Sequence, residues 1–128
     1  MATEYIEQFV RCNSFLEEKE INLADLKQGV NIISAIPENH ICMGIDIEVL
    51  EAGTGTLDVG VKDDSNRFIG GVDLTQKKNN ASSVRLSSKD RLFPIVLDVK
   101  AAQTQGKIVF RMQMFGNEVR MKDYTLSV

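Results

Sequence analysis

The sequence has few of the residues on which catalytic and metal sites depend. Its 128 residues include no Trp, one His, two Cys and two Pro. An acid–base or metal scheme built on His40 therefore has no second imidazole to work with. Cys12 and Cys42 belong to no C-x-x-C pair and have no second ligand type at metal spacing, so we expect free thiols and neither a disulfide framework nor a metal site.

Neither sign of charge dominates, and no apolar run is long. The 15 basic and 18 acidic residues give a net charge of −3 and form no basic stripe, so we expect no nucleic-acid partner, since binding to phosphates depends on clustered Lys and Arg. No segment approaches the length of an apolar membrane-spanning helix, and the N-terminus does not have the pattern of a secretory signal. These observations predict a soluble product that is made inside the cell and has no membrane partner.

The sequence does contain apolar residues that alternate with period two, as in half-buried β-strands. The clearest pattern is the set Ile108, Phe110, Met112 and Met114. Further strands are predicted at 29–36, 41–49, 57–61, 68–74 and 93–99. Closely spaced strands without a sustained helix predict an all-β fold, either an antiparallel sandwich or a barrel.

The connections between these strands are predicted from turn residues. Residues 41–61 predict a hairpin with a glycine-containing loop, followed by a turn at 62–67. Residues 75–90 predict a long polar loop with a short strand at 84–86. Residues 115–118 predict a turn before a last strand at 119–126, with a bulge near Lys122.

The N-terminal segment fits a helical stripe and a strand about equally well, and we favour an extended arm. The predicted organisation is an arm or edge strand at 1–20 and a single β-sandwich domain at 21–128.

Several polar patterns have structural interpretations that we prefer to functional ones. The Asp63–Asn66 stretch lacks the order of an EF-hand loop, and the glycines near Thr54 precede a strand where a phosphate loop precedes a helix. Asp46 and Glu48 alternate along one strand, as residues of a solvated face do, although a pair of carboxylates is also a glycosidase motif.

Apolar residues also fall where alternation predicts exposure. Leu50, Val96, Val109 and Phe115 lie on predicted outer faces. The N-terminal segment carries Tyr5, Ile6, Phe9, Val10, Phe15 and Leu16. Exposed apolar groups in this number indicate contacts with another chain. The alternative is that both faces are covered within one sandwich, or that the register is shifted by one residue, which would invert every assignment.

Three stretches resemble a known group of proteins. They are IPENHICMGIDIEVL at 36–50, GTGTLDVG at 53–60 and FIGGVDL at 68–74. They are similar to small virion proteins of tailed bacteriophages, in which an I-P turn leads a long strand and a G-T-x-x-V-G strand follows. The similarity covers residues 29–74 well, and the rest of the chain only in the rhythm of its strands.

The resemblance implies a capsid decoration, or cement, protein with a jelly-roll-like β-sandwich. Such a protein is located on the exterior of the virion after synthesis in the host cytoplasm. It binds the major capsid protein and bridges its subunits, often as a homo-oligomer, with a trimer favoured. The resemblance implies no catalytic residue and no cofactor.

On this basis the sequence yields a set of candidate contacts. The capsid-contact candidates are Tyr5, Ile6, Phe9, Val10, Phe15 and Leu16, together with the loop at 75–90. The self-association candidates are Leu50, Val96 and Val109. The alternatives are a tail or head–tail joining protein and a carbohydrate-binding module, although sugar platforms usually need more exposed aromatics than Tyr5 and Tyr124 supply. We do not expect an enzyme.

Overall fold

A computed structural model describes the backbone of residues 3–127 and the side chains of residues 7–118. Over this range the chain is built from β-strands, with one short 3₁₀ turn at Leu23–Asp25 and no α-helix. The strands are β1 (Thr3–Asn22), β2 (Gly29–Ile36), β3 (His40–Glu51), β4 (Thr56–Val61), β5 (Asp64–Asp73), β6 (Asn79–Ser82), β7 (Leu86–Ser88), β8 (Phe93–Val99) and β9 (Lys107–Ser127).

The strands form two antiparallel sheets that pack face to face. The first sheet has the order β1-β9-β3-β6, with β7 also pairing with β3, and the second has the order β2-β8-β4-β5. The pairs are nested: β1 with β9, β2 with β8, β3 with β6 and β7, and β4 with β5. This wrapped order is that of a jelly roll, so the predicted all-β, jelly-roll-like antiparallel sandwich is confirmed.

The core lies between the two sheets and is made of alternating residues from both. Ile108, Phe110, Met112 and Met114 are all buried, as their spacing predicts. Strands β2 and β8 have the predicted bounds, 29–36 and 93–99. Pro94 lies at the start of β8, where a residue without an amide hydrogen is tolerated.

The predicted hairpin at 41–61 is wrong, because β3 and β4 lie in different sheets. The connection at 52–55 crosses from one sheet to the other, so the apolar faces of the two strands meet across the core. The tight hairpin is instead β4–β5, in which Val61 pairs with Asp64 around a two-residue turn. The turn predicted at 62–67 is therefore too long. Alternation identifies a buried face but does not identify the neighbouring strand.

The face predicted for β3 is correct for only part of its length. Cys42 pairs with Met114, and Gly44 pairs with Gln113, so Met43 is an extra residue that bulges from the ladder. The bulge reverses the alternation. Cys42 is therefore buried, whereas Ile41 and Met43 are only partly buried.

The 75–90 segment contains more structure than the long loop that was predicted. Its residues 79–82 and 86–88 form β6 and β7, which pair with successive parts of β3. The short strand predicted at 84–86 is therefore displaced by two residues.

The turn predicted at 115–118 is also wrong, because β9 continues through it. Arg11 pairs with Glu118 and Asn13 pairs with Gly116, so the ladder passes Asn117 without losing its phase. Asn117 has a φ of 43°, a left-handed conformation that Asn tolerates better than most residues. The bulge predicted near Lys122 is confirmed by a register shift opposite Gln8 and Phe9.

Strands β1 and β9 are much longer than the rest of the sandwich requires. The β3–β9 ladder ends at the pair Ile41–Phe115. Beyond it, residues 3–13 of β1 and 116–127 of β9 pair only with each other within the described chain. We call this two-stranded extension the ribbon.

Candidate interaction surface

A charged side chain attaches the ribbon to the sandwich. Arg11 donates a hydrogen bond from Nη1 to the backbone carbonyl of Asn39 at 2.9 Å and forms an ion pair with Glu118 at 3.3 Å. Asn39 belongs to the turn between β2 and β3. The guanidinium group therefore connects both strands of the ribbon to that turn.

An aromatic contact completes the junction. The rings of Phe15 and His40 meet edge to face, with centroids 5.9 Å apart and an interplanar angle of 69°. The His40 ring also lies over the backbone of Gly116 on β9, and its Nδ1 is 2.7 Å from the carbonyl oxygen of Glu38. The histidine is thus a packing residue where the ribbon leaves the sandwich.

The ribbon and the adjoining part of β1 carry exposed apolar side chains. Phe9 and Leu16 are 53% and 58% exposed, and Val10 and Phe15 are exposed as well. Because side chains alternate along a strand, Phe9 and Phe15 lie on one face and Val10 and Leu16 lie on the other. The side chains of Tyr5 and Ile6 lie outside the described residues.

A second exposed apolar group lies at the same end of the sandwich. Ser88 of β7 pairs with His40, which places the following residues beside the base of the ribbon. Among them Leu92 is exposed, and the guanidinium of Arg91 lies 4.4 Å above the Phe93 ring. The side-chain hydroxyl of Ser88 donates a hydrogen bond to the carbonyl of Arg91 and holds this turn closed.

Two of the three self-association candidates are not exposed. Leu50 is exposed, but Val96 and Val109 have relative exposures of 0% and 7%, so the prediction that they form free surface is wrong. Both lie on the outer faces that alternation assigns to them, between neighbours that cover them. Val96 pairs with Ile32 and Gly60, and Val109 pairs with Glu20 and Glu48.

An exposed apolar pair that the sequence patterns did not predict lies on β2. Val30 is exposed, and Ile32 is the most exposed large apolar residue among those described, at 63%. Their alternation with polar Asn31 is typical of a buried face, so the pattern did not mark them as exposed. No outer face had been assigned to that strand.

The outer face of the first sheet is polar and held together by ion pairs. Arg111 contacts Glu18 at 2.8 Å, Glu48 at 2.9 Å and Asp46 at 3.2 Å. These carboxylates, led by Glu18, which accepts a hydrogen bond from Arg111 Nε, raise the pKa of the guanidinium above its usual value. The predicted solvated face for Asp46 and Glu48 is confirmed. A shallow depression of about 160 Å³ next to Arg111 is lined by Leu16, Gly44, Ile45, Asp46, Ala81, Ser82 and Gln113.

The described residues include no candidate metal cluster and no membrane-spanning helix. Within residues 7–118 no three His, Cys, Asp or Glu residues come together in a way that would hold a metal ion. The part of the chain that the structure describes has no helix of the length and hydropathy needed to cross a membrane. Cys12 is exposed and Cys42 is buried, and both are free thiols, as predicted.

Neither a scan against protein-family models nor a search of curated proteins finds a match to this chain. Solved structures do share its fold, and the following three belong to phage capsids. A chain of the acidic stable capsid structure of Helicobacter pylori bacteriophage KHP30 aligns with a TM-score of 0.71 and 19% identity, over 91% of this chain and 99% of that chain.

The other two are more distant in structure. A chain of the cyanophage Pam1 capsid asymmetric unit has a TM-score of 0.61 and 10% identity, over 82% of this chain and 86% of that chain. A chain of the capsid of Ralstonia phage GP4 has a TM-score of 0.59 and 17% identity, over 84% of this chain and 87% of that chain. At these identities the likeness concerns the fold. These structural neighbours of the chain are therefore components of phage capsids.

Proposed function

We propose that this protein is a virion structural protein that decorates the outside of a phage head and bridges subunits of the major capsid protein. The observation that carries the proposal is the ribbon, which extends from a compact sandwich with apolar side chains on both faces. The shared fold with chains of three phage capsids supports the same role.

The dimensions of the ribbon suit a clamp. Its β1 strand covers residues 3–13, which at roughly 3.3 Å per residue span about 35 Å. The exposed side chain of Leu92 lies at the base of the ribbon. The exposed apolar surface of one molecule therefore extends from the sandwich along the ribbon, as a protein that reaches across a subunit seam requires.

Contacts of this kind would stabilise a shell because they are repeated many times over its surface. A shell filled with genome is under outward pressure, and a clamp across a seam adds buried surface that must be exposed again before the subunits part. A contact of about 800 Å² per partner is of standard size for a specific interface. Repeated over a whole shell, such contacts stabilise it collectively even when each is modest.

Co-sedimentation with expanded, genome-free heads of the phage that carries the gene tests the proposal. We expect saturable binding of the intact protein. Phe9→Ser, which removes an exposed ribbon side chain, should weaken binding about 10- to 100-fold if that ring becomes buried against the shell.

Ile32→Ser is the matched control, because it removes an exposed apolar side chain from the second sheet. It should bind like the unchanged protein. Equal losses from Phe9→Ser and Ile32→Ser would contradict a specific role for the ribbon. Binding to purified tails or head–tail connectors, with none to heads, would favour the joining-protein alternative, and binding to a glycan array would favour the carbohydrate-binding module.

A further inference from the structure

The outer edge of β1 is an unpaired strand edge of unusual length. β1 pairs with β9 along one side, and none of the described strands pairs along the other side over its 20 residues. Such an edge presents a row of free N–H and C=O groups to any extended chain. Natural proteins usually protect these edges by shortening them or by adding Pro, bulges or charges.

The protective charges on β1 lie toward its two ends. The strand contains neither Pro nor Gly, and its acidic residues are at positions 4, 7, 17, 18 and 20. Between Gln8 and Leu16 the only charged side chain is Arg11, and that group is already occupied by Asn39 and Glu118. The edge over 8–16 is therefore open to pairing.

The ribbon also needs a neighbour for its own stability. A two-stranded β-structure is marginally stable in water, and a third strand is normally needed. The apolar groups of this ribbon are exposed on both faces, so no sheet within the described chain shields them. A strand added along β1 would satisfy the free backbone groups and cover part of this surface.

We propose that the added strand is β1 of a second copy, paired antiparallel around a two-fold axis at Asn13. In this arrangement residue n lies opposite residue 26 − n of the other copy, and opposite residues share a face. Val10 then lies opposite Leu16 of the second copy. The two-fold axis repeats this contact, so two pairs of exposed apolar side chains become buried against each other. Glu7 lies opposite Lys19 of the second copy, so charges of opposite sign meet at both ends, although Lys19 also pairs with Glu17 of its own chain at 3.0 Å.

Neighbouring registers are less favourable. Moving the axis one residue toward the N-terminus places Phe9 opposite Phe15. It also places Glu7 opposite Glu17 and Glu4 opposite Glu20, two like-charge pairs that are each repeated by symmetry. Moving it one residue the other way places Val10 opposite Glu18. The register centred on Asn13 places Phe9 opposite Glu17, but of the three it is the one that combines the Val10–Leu16 contact with no like-charge pair. Charge therefore selects it.

The resulting dimer has one continuous sheet. Its order is β6-β3-β9-β1 in one copy followed by β1-β9-β3-β6 in the other, and each ribbon lies along the sandwich edge of its partner. This arrangement is independent of the capsid role and is measured on the protein alone. The trimer that the resemblance implies would require a different interface, because a strand that pairs antiparallel with itself has two-fold symmetry.

A pair of double variants tests both the dimer and its register. Val10→Lys with Leu16→Lys places like charges opposite each other, whereas Val10→Glu with Leu16→Lys places opposite charges there. Both variants remove the same exposed apolar side chains. Sedimentation equilibrium should give twice the chain mass of 14.3 kDa for the unchanged protein. The dissociation constant of the like-charge variant should be at least tenfold higher than that of the opposite-charge variant.

Cross-linking gives a second readout of the register. Ser14→Cys places a new thiol opposite Cys12 of the other copy, so mild oxidation should yield a covalent dimer. The unchanged protein and the variant Ser14→Cys with Cys12→Ser should not cross-link, because their thiols lie on a diagonal too long for a disulfide. A monomer at tens of micromolar, equal dissociation constants for the two charge variants, or the mass of a trimer without this cross-link would each overturn the proposal.

Discussion

The backbone of Gly116 lies under the imidazole ring of His40, so closely that a Cβ at Gly116 would come within 2.5 Å of Nε2. The same ring packs edge to face on Phe15. Three strands, β1, β3 and β9, therefore meet through one histidine at the point where the ribbon leaves the sandwich. Only glycine at position 116 leaves room for this arrangement.

Gly116→Ala should destabilise the protein. The new methyl group must displace the His40 ring, and overpacking of this kind typically costs about 1–3 kcal/mol. Thermal unfolding followed by circular dichroism should show a Tm lower by several degrees. Gly70→Ala is the control, since a Cβ there would meet nothing closer than 3.9 Å, and it should be close to neutral.

A double variant distinguishes a clash with the His40 ring from a general effect of alanine at position 116. If the clash is with the imidazole, adding His40→Ala should recover part of the loss caused by Gly116→Ala, so that the two effects are not additive. Strictly additive losses would show that the ring and the glycine do not interact.

A buried amide closes the opposite end of the sandwich. Gln103 is buried, and its side chain accepts a hydrogen bond from the Thr54 amide at 2.9 Å and donates hydrogen bonds to the carbonyls of Thr54 and Ala101. These bonds hold the crossing from β3 to β4. A Cβ at Gly53 would come within 2.6 Å of Oε1 of Gln103, so the loop backbone packs directly on that side chain.

Gln103→Ala should lower the free energy of unfolding by about 1–3 kcal/mol, because it leaves partly buried backbone groups without partners. Urea denaturation measures the change. Gln105→Ala is a matched control on the same loop, since Gln105 is exposed, and its midpoint should stay near that of the unchanged protein. Equal shifts for the two variants would contradict this role of Gln103.

The fold was predictable wherever local alternation decides the outcome. The buried face of 108–114 and the bounds of β2 and β8 follow from period-two patterns alone. The pairing of β3 with β9, and not with β4, depends on contacts between residues about seventy positions apart, which alternation does not report. The residues Phe115–Glu118 favour a turn by composition, but the long partner strand β1 keeps them in the ladder.

The candidate surface was predictable for a different reason. Phe9 and Val10 are adjacent apolar residues, as are Phe15 and Leu16, so one member of each pair must face away from any single core. The exposure of one member of each pair therefore follows from sequence once the segment is a strand. The exposure of the other member depends on whether a second sheet covers its face, which the pair does not report. The burial of Val96 and Val109 does not follow, because alternation places them on outer faces correctly but is silent on which neighbouring side chains cover those faces.

The buried thiol gives the protein a pH dependence above neutrality. Burial raises the pKa of Cys42 above its ordinary value of 9.0, and a weaker backbone hydrogen bond with Gly44 acts in the opposite direction. In the unfolded chain this thiol loses its proton at lower pH than in the folded protein. The unfolded state then binds fewer protons, so stability is complete below the unfolded pKa and is lost as pH rises toward the folded pKa.

Comparison of Cys12→Ser with Cys12→Ser/Cys42→Ala isolates this effect, because Lys and Tyr titrate equally in both proteins. Between pH 8 and pH 10, urea unfolding should show a steeper loss of stability for the protein that keeps Cys42, with a slope difference of at most about 1.4 kcal/mol per pH unit. The alanine variant starts from lower stability at pH 7, since it loses packing in the core, but its decline should be shallower. Parallel declines would mean that the buried thiol does not titrate between the folded and unfolded states in this range.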